Sequence, residues 1–96
     1  MSWPRVVERL QRGEEVVLHP KGQSMTPRIY SGQRVTLTPV SEDPEVGDIV
    51  LAKVHGRYYL HLVSSRDGDR YQISNNHGHV NGWTSREKIY AVVEAS

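Results

Sequence analysis

The chain has no cysteine and no phenylalanine, and no apolar run approaches membrane-spanning length. The missing cysteine excludes disulfides and thiolate metal sites, and says nothing about compartment. The missing phenylalanine leaves Val, Leu, Ile, Tyr and Trp to build the core. Valine is the commonest of these, and it and tyrosine favour strands. A dominant charge is lacking too: 12 Lys and Arg against 11 Asp and Glu give a net +1. The cations are scattered, so direct nucleic-acid binding is not expected. The start of the chain has neither the basic cluster nor the apolar stretch of a secretory signal. Repeats and low-complexity segments are absent. The expectation is a soluble, cytoplasmic protein. At 96 residues it forms one domain, 1–96, with a core of marginal size.

What is present reads as one short helix followed by strands. Ser2 is placed to cap a helix with Trp3-Pro4 in its first turn. Val6, Val7 and Leu10 share one face, and Gly13 ends the element, so residues 1–13 form the helical part. A β core is expected over 14–94. Its strands are Glu15 to Leu18, Arg34 to Pro39, Ile49 to Val54, Tyr58 to Ser64, Tyr71 to Ser74 and Ile89 to Val93. Between them lie a single helical turn from Met25 to Tyr30, an acidic loop from Val40 to Glu45, a tight turn at His55-Gly56-Arg57 and a turn at Arg66-Asp67-Gly68-Asp69. A polar loop runs from Asn75 to Gly82. Short strands at this spacing predict a mainly β fold: a small, coiled, partly closed antiparallel barrel-like sheet.

Two pieces carry chemistry. Gly22-Gln23-Ser24-Met25-Thr26-Pro27 puts a serine just after a glycine bend, and His61 ends the run Tyr58-Tyr59-Leu60-His61. A serine hydroxyl needs a base to become a nucleophile, and histidine is the commonest such base. Taken alone, Ser24 is also a favoured N-cap for the following turn, and His61 is also an ordinary half-buried strand histidine. Alternation puts Tyr59, His61 and Val63 on one face and Tyr58, Leu60 and Leu62 on the other. Lys53 is a rival base, because burial lowers a lysine pKa, though a solvated hairpin charge is the plainer reading. His77 and His79, with or without His61, lack an acidic or thiol co-ligand, so no metal and no cofactor are expected. Trp3 and Trp83 read as core or edge-covering residues.

The ordered series Gly22-x-Ser24-Met25-x-Pro27, Ser31-Gly32-Gln33-x-Val35, Val46-Gly47-Asp48-Ile49-Val50 and the strand ending at His61 resembles the S24/S26 group of serine peptidases. That group includes signal peptidases and the self-cleaving domains of LexA-type and phage repressors. The closing stretch from Asn75-Asn76 through Trp83 to Ile89-Tyr90-Ala91-Val92-Val93 fits as well, so the resemblance spans about residues 14 to 94 and suggests a small member of phage or bacterial type. It implies a coiled β fold with Ser24 as nucleophile, on a loop beside the strand that bears the base. Repressor and bacterial signal peptidase relatives use lysine where His61 falls; the endoplasmic reticulum and archaeal type uses histidine. The chain departs from that branch in three ways: Leu62 follows the histidine in place of arginine, the loop from Asn75 to Asn81 holds asparagines in place of aspartates, and Gln33 replaces the usual aspartate after Ser-Gly. An amide can orient an imidazole but cannot stabilise its charge as a carboxylate does. Gly22 stands where some relatives supply a hydroxyl to the oxyanion, which leaves backbone N–H groups of Gln23 or Ser24. Gly22, Met25 and Pro27 support the nucleophile. Asn76 is the preferred orienter of His61, and Asn75 reads as turn chemistry.

The function implied is a soluble serine endopeptidase with a Ser24/His61 dyad. Its partner is an extended peptide or protein substrate that adds a strand beside the site. The alternative is a catalytically inactive binding module on the same fold, phage-derived, which the missing carboxylates favour. A DNA-linked repressor fragment ranks last, because no recognition helix or basic face is present. No Ala-Gly precedes Ser24 to serve LexA-like self-cleavage. Oligomeric state is open.

Overall fold

The structure is a computed structural model that describes residues 2–22, 25 and 28–94. Helix α1 (Trp3–Gln11) follows Ser2, which has extended backbone angles at the N-cap position, and Pro4 lies in the first turn. The Ser2 side chain makes no capping bond, so proline, not the hydroxyl, sets the entry of the helix. Val6, Val7 and Leu10 are buried. At the other end the Gly13 N–H donates to Leu10 O.

Among the described residues, seven antiparallel strands form one unclosed sheet: β1 (Val16–Leu18), β2 (Val35–Pro39), β3 (Ile49–Val54), β4 (Arg57–Asp67), β5 (Arg70–Ser74), β6 (Val80–Ser85) and β7 (Ile89–Glu94). Their order across the sheet is β1-β2-β7-β3-β4-β5-β6. A short 3-10 turn (Arg86–Lys88) joins β6 to β7. The sheet curls rather than closes: Thr84 Oγ1 on the terminal strand β6 donates to Lys53 O on β3, at 2.7 Å.

Two strands differ from the sequence expectation. The strand starting at Tyr58 was expected to end near Ser64, but β4 runs on to Asp67, and the turn shrinks to the residues between Asp67 and Arg70. The loop expected from Asn75 to Gly82 ends earlier, because β6 begins at Val80. Asn81 and Gly82 are poor strand formers. Pairing with β5 and a β-bulge hold them in the sheet all the same.

Among the described residues, three clusters fill the interior. Helix α1 lays Val6, Val7 and Leu10 on Val16, Leu37, Leu51 and Ala91. Inside the curl, Val50, Ala52, Val54, Val63, Tyr71, Ile73 and Ile89 pack together, with Tyr59 against them. The third cluster joins Met25 and Ile29 to Val35 and Ile49, with Leu60 and Leu62 beside them. This last cluster ties the loop between β1 and β2 to the strand that carries His61.

Candidate active site

The loop between β1 and β2 is fixed from both ends. Gly22 has φ +105, a backbone conformation that side chains resist, and its N–H donates to Ser31 Oγ at 3.2 Å. Met25 and Ile29 are 4% and 5% exposed, and the Ile29 N–H donates to Met25 O at 2.9 Å. The helical turn expected from Met25 to Tyr30 includes Thr26 and Pro27, which lie outside the described residues. The Ser-Gly-Gln run closes the loop: the Gly32 N–H donates to Pro20 O at 2.7 Å, and the Tyr30 N–H donates to Gln33 Oε1 at 3.0 Å. The Gln33 contact needs only a carbonyl acceptor, so an amide serves it. Arg28 Nη1 donates to Gly47 O at 2.9 Å, which ties the loop to the Val46-Gly47-Asp48 turn. That turn is held by the Glu45 N–H donating to Asp48 Oδ2 and by paired backbone bonds with Val63.

His61 lies on β4 opposite Val50 of β3. It shares a sheet face with Tyr59, and the two rings stack at 5.2 Å between centroids and 30° between planes. Its Nδ1 is 2.6 Å from Asn81 Oδ1. A carboxamide oxygen only accepts, so Nδ1 carries the proton and Nε2 is the ring nitrogen with the lone pair. Burial pushes the imidazole pKa below its ordinary 6.5; the Asn81 hydrogen bond opposes that shift, and nearby His79 adds to it.

A cavity of about 200 Å³ brings the two pieces together. It is lined by Gly22, Met25 and Ile29 from the loop, by Leu60 and His61 from β4, and by Trp3 from α1.

Of the site residues expected from sequence, His61, Gly22 and Met25 line this one cavity. Gln23, Ser24 and Pro27 lie outside the described residues. Asn76 was the preferred orienter, but the side chain on His61 Nδ1 is Asn81, because a bulge carries that residue out of the β5–β6 loop and into β6. Asn75 has the turn role expected of it: its Oδ1 accepts from the His77 and His79 N–H groups at 2.8 and 2.9 Å. Lys53 pairs with Tyr58 on the opposite sheet face from His61, and its Nζ sits 5.2 Å from the Tyr58 ring centroid. Among the described residues, no three His, Cys, Asp or Glu side chains gather as a metal site, and no helix is long and apolar enough to cross a membrane.

A family model described as Peptidase S24-like matches residues 2–92. Comparison with curated proteins and with solved structures gave no match.

Proposed function

The chain belongs to the Peptidase S24-like family, and on that premise we propose that it is a one-domain serine endopeptidase using Ser24 as nucleophile and His61 as general base. His61 Nε2 takes the Ser24 Oγ proton as Oγ bonds to the substrate carbonyl carbon. The carbonyl electron pair moves to oxygen and is met by backbone N–H groups of Gln23 or Ser24. When the tetrahedral intermediate collapses, the C–N bond breaks and His61 returns the proton to the leaving amine. Water, activated by the same imidazole, then releases the acyl group from Ser24.

One observation carries this reading. Gly22 and Met25, which bracket Ser24 in the chain, line the same cavity as His61. Ser24 immediately precedes Met25 in the chain. The lone pair on Nε2 is the form a base needs.

Residues 57–61 of β4 pair with β3 on one side; among the described residues no strand pairs with their other side. An extended substrate peptide fits that edge by strand addition, with a side chain entering the cavity between Trp3, Met25, Ile29 and Leu60. The resemblance to peptidases of this group suggests small residues flanking the cut. Substrates are taken to be soluble cytoplasmic proteins. The competing reading, an inactive binding module, draws on the amide that stands where relatives carry a carboxylate beside the base.

The test is incubation with a library of unstructured peptides, with cleavage products read by mass spectrometry. Endoproteolysis that disappears in Ser24→Ala and in His61→Ala is the expected result. Peptides that bind but stay intact would favour the binding module.

A further inference from the structure

We propose that Asn81 is a positioning residue for His61, and that the β-bulge in β6 serves to aim it. The proposal deepens the peptidase reading and rests on His61 acting as the base.

The bulge is visible in the register. Ile73 of β5 faces Gly82, and the next residue, Ser74, faces Val80, so Asn81 is the extra residue on β6. An extra residue bends its strand and re-aims a side chain, and such bulges are over-represented beside active sites. Here the re-aimed Oδ1 meets Nδ1 of a residue 20 positions earlier in the chain, at 2.6 Å.

The bulge is locked on both flanks. After it, Gly82 has φ +139 and lies against the β3–β4 turn: a Cβ added there would sit 2.9 Å from His55 Nε2 and 3.1 Å from Val54 Cγ1. Two residues on, Thr84 Oγ1 donates to Lys53 O. Before it, the Asn75 N–H donates to His79 O at 2.9 Å, while Asn75 Oδ1 accepts from the His77 and His79 N–H groups. Asn81 is thus held in the frame of the β3–β4 hairpin that also carries His61. Acceptor and ring cannot drift apart without breaking that packing.

The choice of an amide has its own consequence. It fixes the ring and its tautomer as a carboxylate would, but puts no negative charge beside the ring. Among the described residues that line the cavity with His61 there is no Asp or Glu. Orientation comes here without the full negative charge that a carboxylate supplies with it.

The experiment uses the full chain with ¹⁵N-labelled histidine. Long-range ¹H–¹⁵N correlation spectra from pH 5 to 8 report tautomer and titration midpoint, and a fluorophosphonate reports Ser24 reactivity in the same samples. Wild type is expected to hold His61 as the Nδ1–H tautomer. Asn81→Leu should mix the tautomers and slow labelling roughly 10²-fold, the scale of a misplaced catalytic group. Asn81→Asp should keep the Nδ1–H tautomer and raise the midpoint, a result that does not depend on Asn81→Leu folding. A wild-type Nε2–H tautomer, an unchanged tautomer in folded Asn81→Leu, or an unmoved midpoint in Asn81→Asp would each overturn the proposal. An Nδ1–H tautomer in a wild type whose Ser24 stays unreactive would support the positioning role and count against the peptidase reading.

Discussion

At the scale of the residue, the His61 ring answers to its seat in the sheet, to the stacked Tyr59 and to the Asn81 oxygen. Burial is the strongest influence on its pKa and lowers it from 6.5. The unfolded chain therefore binds a proton at His61 at higher pH than the folded one does. The stability tied to the neutral ring is complete above pH 6.5 and is lost as pH falls from there through the folded value. The expected outcome is a wild type that loses more stability than His61→Gln between pH 7 and pH 5 in urea unfolding. Equal losses would mean that the ring titrates alike in both states. The sequence order singles out His61, but it lies inside β4 (Arg57–Asp67) and not at the strand end expected for it. Its partner was not legible, because Asn75, Asn76 and Asn81 are chemically alike and only a bulge singles out the last.

At the scale of the element, the Ser-Met pair has a mechanical logic. Met25 is buried among Ile29, Val35 and Ile49, with Leu60 and Leu62 of β4 beside them. The residue next to Ser24 is thereby anchored to the strand that bears His61. Met25→Ala should cost about 2–5 kcal/mol, the range for truncating a buried methionine. Met25→Leu, close in volume, should cost less than about 1.5 kcal/mol. Urea unfolding measures both, and a near-neutral Met25→Ala would show that the loop is not seated as described. The helix and six of the seven strands were legible from hydrophobic spacing and turn residues. β6 was not, because Asn81-Gly82 reads as a turn; the pairing that overrides that preference comes from β5 and from His55 packed on Gly82.

At the scale of the whole molecule, the open curled sheet lets one short chain assemble a site from distant parts. The β1–β2 loop supplies Gly22 and Met25, β4 supplies His61, β6 supplies Asn81 and α1 supplies Trp3. The mainly β architecture followed from valine-rich short runs, and the family from the order of its motifs. The strand order β1-β2-β7-β3-β4-β5-β6 did not follow, since β7 lodges between β2 and β3, a long-range pairing that local patterning cannot encode. The account turns on whether Ser24 and His61 act together. The most direct measurement is fluorophosphonate labelling followed by intact mass and peptide mapping, on wild type, Ser24→Ala and His61→Ala between pH 5 and 8. The account predicts one adduct on Ser24, absent from both variants, whose rate rises with pH and levels off near or below pH 6.5, the ordinary histidine value from which the His61 pKa is lowered. No adduct in wild type at any pH, or one that persists in His61→Ala, would contradict it.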